Sequence, residues 1–239
     1  MNSFDTTSSV AIVTGGSRGL GRAITAALLD RGWTVVVDAR RSADLHATAS
    51  ALDSRRLIAI PGDITDPAHR DALVSAAHDA GPLRLLVNNA SKLGPSPQPV
   101  LARYPLTELQ SVYEVNVVSP LALTQAALPA LTKTGGVIVN VTSDVAVEAY
   151  PGWGGYGSSK AALDQVSAVL AMESDAVAVY AFDPGDMRTE MHQAAFPGED
   201  ISDRPSPETV VPALLKLLDT RPASGRYRAS DLPSAGTGA

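Results

Sequence analysis

A short apolar run, Val10-Ala-Ile-Val13, passes directly into Thr14-Gly-Gly-Ser-Arg-Gly-Leu-Gly21 and then into a helix-like stretch from Arg22 to Asp30. This order constrains the chain severely. The run is short and β-branched, as in a strand buried on both faces. A helix that follows it through a tight glycine turn must cross over to a parallel neighbour. The pattern repeats. Strand-like runs at Thr34–Val37, Leu57–Ile60, Leu83–Val87, Val137–Val141, Val177–Phe182 and Arg226–Ala229 alternate with helical stretches. The expectation is an α/β fold with a doubly wound, mostly parallel sheet of about seven strands and helices on both faces. A chain of 239 residues suits one such domain, 1–239, with flexible ends at 1–9 and 231–239.

Such a sheet takes its ligand outside the carboxyl ends of the strands. Glycines at 15, 19 and 21 let backbone approach a pyrophosphate closely, and the following helix offers free N–H groups and a partial positive charge. The spacing Gly-x-x-x-Gly-x-Gly differs from the commoner Gly-x-Gly-x-x-Gly. A tight connection with no ligand would use similar residues, but its place after the first strand favours nucleotide binding. Asp38, Ala39, Arg40 and Arg41 end the second strand, where a ribose hydroxyl or its phosphate is read; alternation keeps Asp38 and Ala39 on opposite faces. Asp63 could cap the next helix or bond an adenine amino group. Leu106–Leu131 reads as one long helix kinked at Pro120, with Asn116 a turn earlier, either back-bonded to its own helix or beside kinked carbonyls and water.

Chemistry concentrates between Ser143 and Lys160. Strand Val137–Val141 ends at Thr142-Ser143, a Gly/Pro-rich loop follows, and a helix starts at Tyr156. Tyr156 and Lys160 stand four residues apart, on one face. A phenol titrates near ~10, and a neighbouring ammonium would lower that towards the range of a general acid or base. Ser143 could present its hydroxyl to the same reacting oxygen. Residues 187–207 lose all periodicity around Phe196-Pro-Gly and Arg204-Pro-Ser-Pro207, which reads as a substrate lid.

Composition excludes other classes. A net charge of −6 without a basic cluster argues against nucleic acid. Without cysteine there is no disulfide, thiolate nucleophile or zinc-thiolate site, and the four histidines have no ligand spacing, so no metal is expected. No apolar run approaches membrane-spanning length, and the expectation is a cytoplasmic protein that binds no membrane.

The glycine turn, Asn88-Asn89-Ala90, Asn116, Ser143, Tyr156-x-x-x-Lys160 and Pro184-Gly185, in this order over roughly 10–227, resemble the short-chain dehydrogenase/reductase family of Rossmann-like enzymes. That resemblance implies that Thr14, Gly15, Gly19 and Gly21 form the pyrophosphate turn, with Ser17, Arg18 and Leu20 beside them on the cofactor. Asp63 and Ile64 would meet the adenine, and Asn89 and Ala90 would border the cofactor. Pro184, Gly185 and Thr189 would lie on its nicotinamide side. It implies Ser143 holding the substrate oxygen, Tyr156 passing the proton, Lys160 gripping the nicotinamide ribose and lowering the tyrosine pKa, and Asn116 holding a relay water. Counted from Gly32, the family's NAD-type aspartate falls on Ala39, Asp38 faces away, and Arg18 and Arg40 take its basic positions. NADP(H) is therefore expected, with NAD(H) the alternative if Asp38 met the ribose. The implied reaction is reduction of a ketone or aldehyde on a bulky, largely apolar molecule, lined by Leu93, Val145, Tyr150, Trp153, Met187, Met191 and Phe196. Trp153 and Met187 could equally be core packing, and Glu148 and His192 solvated surface. A non-catalytic NADP-binding regulatory protein and an epimerase or dehydratase are the alternatives. The family also implies a homodimer or homotetramer. Ser91 stands where the family has glycine, and Gly225-Arg-Tyr-Arg-Ala-Ser replaces the glycine-rich ending of tetrameric members.

Overall fold

A computed structural model describes residues 9–232; the rest of the two ends expected to be flexible lies outside these residues. Seven strands form one parallel sheet: β1 Val10–Val13, β2 Thr34–Ala39, β3 Leu57–Pro61, β4 Leu83–Asn88, β5 Val137–Val141, β6 Ala178–Asp183 and β7 Gly225–Arg228. Their order is β3-β2-β1-β4-β5-β6-β7. The chain thus winds outward from β1 in one direction, returns, and winds outward in the other. Register aligns the carboxyl ends: Val13 faces both Val37 and Val87, Asn88 faces Asn140, and Asp183 faces Arg228. Every loop leaving those ends shares one edge, with the reversal between β1 and β4 at its centre.

Helices α1 Gly19–Asp30, α2 Ser42–Leu52, α3 Pro67–Ala80, α4 Leu106–Tyr113, α5 Ser119–Thr134, α6 Gly154–Glu173, α7 Glu190–Ala195 and α8 Val211–Thr220 complete the described residues. Strand alternation divides the core in two. Ala11, Val13, Val35 and Val37 pack with Ile24 and Leu28 of α1 and Leu214 and Leu217 of α8. Val10, Ile12 and Val36 pack on the other face with Leu73 of α3 and Leu123, Ala127 and Leu131 of α5. Each such valine, leucine or isoleucine, fully buried, contributes about 1.5–3 kcal/mol. Two buried amides between the strands are paired: Asn88 Nδ2 donates to Asn140 Oδ1 at 2.7 Å, and Asn140 Nδ2 to the Ser167 hydroxyl at 2.8 Å.

Three expectations need correction. The long helix is not simply kinked at Pro120: residues Glu114–Val118 form a π turn, and Pro120 lies in the first turn of α5. A proline has no N–H to return to the preceding turn, and the widened turn accommodates that loss. The whole run Leu106–Thr134 is long and apolar enough to cross a membrane by length and composition, against the expectation that none is. Its apolar side chains Leu123, Ala127 and Leu131 are fully buried against the sheet. Finally, the patternless stretch 187–207 contains α7, capped by Thr189, whose hydroxyl accepts from His192 N at 3.1 Å. Six residues are too few to show a helical period.

Candidate active site

The glycine turn leaves β1 through Thr14, whose hydroxyl donates to Val87 O and accepts from Asn89 N and Ala90 N, both at 2.9 Å. Asn89 Nδ2 returns to Thr14 O at 2.8 Å and Gly15 O at 3.3 Å. These bonds lock the loops after β1 and β4 together. Gly21 serves the same packing: a Cβ there would sit 2.3 Å from Gly15 O and 2.5 Å from Asn89 Nδ2. Thr14 and Gly21 therefore brace the cleft from behind. Gly15, Ser17, Arg18, Gly19 and Leu20 line it. Helix α1 opens at Gly19 with φ +53° and without a side-chain cap, so its first N–H groups are free to meet an anion.

At the end of β2, Asp38 faces α3, and Ala39 faces the opposite core. Asp38 is 2% exposed, and both its oxygens are committed: Oδ1 accepts from Gly15 N at 2.7 Å, and Oδ2 lies 3.1 Å from His69 Nε2. Asp38 thus bonds into the glycine turn, pinned by a histidine that spacing alone did not reveal. Arg40 is exposed on the cleft beside Asp63. Burial opposes ionisation of Asp63, but the Thr65 N–H and hydroxyl, with Arg40 and His69, hold its carboxyl below the usual range. Asp63 closes a turn with Thr65; the residue that caps α3 is Asp66, which accepts from Ala68 N. Asp63 and Ile64 line the cleft, as do Asn89, Ala90, Pro184, Gly185 and Thr189. Arg18 pairs with Glu190 at the start of α7, and Arg41 reaches the same carboxylate at 4.0 Å. Glu190 did not stand out in the sequence, because it meets Arg18 and Arg41 across more than a hundred positions.

Ser143, Tyr156 and Lys160 line the same cleft, which has a volume of about 1160 Å³. Tyr156 is 8% exposed, packed with Leu93 and Val145 and meeting the edge of Trp153 at 6.1 Å between centroids. Burial pushes its phenol up to about 12; the Ser91 hydroxyl opposes this, and Asp144 and Asp183 add to it. The expected lowering by Lys160 is absent. The ammonium sits over the ring, 5.4 Å from its centroid, and donates to Val141 O at 2.8 Å. Burial pulls Lys160 itself down to about 8, with Asp164 opposing. The Ser143 hydroxyl donates to Asp144 Oδ1 at 2.7 Å.

Asn116 is fully buried and does not line the cleft. Its Oδ1 accepts from Lys92 N at 2.8 Å and the Ser91 hydroxyl at 3.2 Å, and its Nδ2 donates to Lys92 O and the Ser159 hydroxyl, both at 2.9 Å. The amide is saturated, so a water beside Asn116 would have to be taken by its main chain. Part of the cleft lining is apolar: Leu93, Val145, Trp153 and Phe196, with Met187 before α7 and Met191 within it. Trp153 lies 5.7 Å from Phe196, and Phe196 4.8 Å from His192. Tyr150 stands at the rim, 44% exposed, its hydroxyl donating to Glu148.

These residues fit a dinucleotide. The turn closes on backbone too tightly for side chains, α1 presents uncapped amides, and guanidinium groups stand at the β2 end. Among the described residues no cluster of acidic and histidine groups could hold a metal.

Residues 9–200 match the family model for short chain dehydrogenases. Sepiapterin reductase of Mus musculus is 33% identical over 201 residues, 78% of this chain and 77% of that protein. The short chain dehydrogenase asqE of Emericella nidulans is 38% identical over 173 residues, 68% of this chain and 64% of that one. Among solved structures, a short chain dehydrogenase from Shigella flexneri complexed with NADP superposes with a TM-score of 0.86 at 29% identity, covering 92% of this chain and 96% of that one. One from Escherichia coli complexed with NADPH gives 0.86 at 28% identity, covering 94% and 99%. The matched length, the identity to these relatives and the common fold lead to one assignment: the chain belongs to the short-chain dehydrogenase family of oxidoreductases.

Proposed function

We propose that this protein reduces a ketone or aldehyde on a bulky, largely apolar molecule to the alcohol, using NADPH. The observation that carries this reading is a buried Tyr156 that lines, with Ser143 and Lys160, the same cleft as the glycine turn and the apolar side chains. When bound, NADPH supplies the hydride. Arg18 and Arg40 would hold its 2′-phosphate, Arg18 exchanging Glu190 for it. Thr189, Pro184 and Gly185 would flank the nicotinamide. The Ser143 hydroxyl would leave Asp144 for the carbonyl oxygen, polarising it together with the Tyr156 hydroxyl. A phenol pushed up to about 12 keeps its proton at neutral pH, which is the form a proton donor needs. Lys160 over the ring face would stabilise the phenolate as the proton leaves, and the chain 187–207 would close over the substrate as a lid. The NADP and NADPH complexes of the Shigella flexneri and Escherichia coli relatives support the choice of cofactor.

The test is a titration of the purified protein with NADPH and with NADH, followed by turnover of bulky aromatic and alicyclic ketones read as loss of nicotinamide absorbance. NADPH should bind more tightly. Arg40→Ala should weaken NADPH selectively, by about 10-fold or more for one lost charge-assisted bond. Tyr156→Phe should cut turnover ~10²–10⁴-fold and leave cofactor affinity intact. Equal affinity for the two cofactors sinks the arginine reading, and a Phe variant with full turnover sinks the mechanism.

A further inference from the structure

The carboxyl edge is tied together by a side chain the reaction itself does not need. Arg226 lies on the edge strand β7, opposite Ala181 of β6. Its Nη2 donates to Ser143 O at 2.9 Å and to Asp183 Oδ2 at 2.8 Å, and its Nε donates to Asp164 Oδ2 at 3.0 Å. Each acceptor belongs to a different part of the site. Ser143 O is the main chain of the residue that holds the substrate oxygen. Asp183 ends β6, and its other oxygen accepts from Gly185 N at 3.0 Å, shaping the turn on the nicotinamide side. Asp164 lies one helical turn beyond Lys160 on α6, and its charge favours the protonated lysine.

We propose that Arg226 is a positioning residue of this site: one guanidinium fixes the Ser143 carbonyl, the turn after β6 and the Lys160 helix relative to one another. The inference rests on the reductase reading above. Geometry explains why arginine occupies the position. Asp183 is 3% exposed and the Asp164 side chain 16%, so both carboxylates need a cation, and Ser143 O lies off the line between them. A planar fork with donors on three nitrogens reaches all three acceptors at once, whereas an ammonium is a compact point charge. Arg228, on the same face of β7, approaches Asp183 only at 3.6 Å and cannot replace the bond to Ser143.

The discriminating variant is Arg226→Lys, which keeps the charge between Asp164 and Asp183 but loses the three-way reach. Turnover per bound NADPH should fall about 10²-fold, the cost of a misplacement near 1 Å, while substrate KM, NADPH affinity and melting temperature change far less. Arg226→Ala should fall at least as far and regain turnover in millimolar guanidinium chloride but not in ammonium chloride. Amide exchange gives a readout that needs no substrate. Ala146 N, which shares the Ser143 carbonyl with Arg226, and Gly185 N should exchange faster in the Lys variant, with β5 and β6 still protected. Wild-type turnover in the Lys variant overturns the proposal. If the wild type turns nothing over, the reductase reading fails by itself, and the exchange data still decide: unchanged Ala146 and Gly185 amides overturn the positioning role. If the Ala variant does not fold, the Lys variant carries the test alone.

Discussion

Lys160 is 2% exposed, and the Val141 carbonyl that accepts its hydrogen bond at 2.8 Å replaces only part of the water an ammonium prefers. The folded state resists a charge that the unfolded chain accepts freely. The sign follows. The cost is full below about 8, where folded and unfolded chains are both protonated, and it fades as pH rises from there towards the ordinary 10.5. The depression from 10.5 to about 8 corresponds to about 3 kcal/mol. Lys160→Met should therefore make the cofactor-free protein more stable near neutral pH, by up to about 3 kcal/mol, with the gain vanishing above pH 10.5. Turnover should fall ~10²-fold or more in the same variant. Denaturant unfolding at the two pH values, beside a turnover assay, checks both; a variant less stable near neutrality would show that the lysine's contacts outweigh its desolvation. The four-residue spacing of Tyr156 and Lys160 was legible in the sequence. The direction of the tyrosine shift was not, because Leu93 and Val145, which bury the phenol with it, lie outside that helix. The Asp38–His69 contact was hidden in the same way, since its partners lie on β2 and α3.

At the scale of elements, the turn after β1 depends on one helix packing closely on one loop. Gly21 lies inside α1, where a Cβ would meet Gly15 O at 2.3 Å and Asn89 Nδ2 at 2.5 Å. Contacts that short require the backbone of the turn to move. Gly21→Ala should destabilise the fold by about 1–3 kcal/mol as an overpacking change and should weaken cofactor binding, because the displaced turn is the one meant for the pyrophosphate. Gly185 is the control. It has φ +73° with nothing within 4 Å of a Cβ, so Gly185→Ala should cost only the strain of its backbone, about 1 kcal/mol. Thermal unfolding with and without NADPH separates the two; equal effects would mean that close packing at Gly21 is not what matters. Most strands read clearly from sequence because they are short apolar runs, and their observed limits differ by two residues at most. The π turn and α7 were not legible. One depends on how helices accommodate Pro120, and the other is six residues set by a single cap at Thr189.

Across the whole molecule, one group of exposed apolar side chains lies away from the cleft. Leu106 is 73% exposed on α4, Val118 48% in the π turn, and Val169 and Met172 43% and 86% on α6, which packs beside α4 and the π turn. Scattered exposed leucines mean little, but a set on adjoining helices is the kind of surface to test for a partner. A second copy of the chain is the partner the family leads us to expect. The other edge of the molecule argues against a tetramer built through β7. Its place is held by Gly225–Arg228, where Arg226 and Arg228 spend their guanidinium groups on Asp164, Asp183 and Glu148 of their own chain. We therefore expect a dimer joined through α4, the π turn and α6. Val169→Glu combined with Met172→Glu places two carboxylates on that face, and burying unpaired charges in an interface costs several kcal/mol. Light scattering should show the wild type as a dimer and the double variant as a monomer that still binds NADPH, since neither residue lines the cleft. A double variant that remained dimeric would move the interface elsewhere, and a wild type of four subunits would mean that β7 joins copies despite its internal ion pairs.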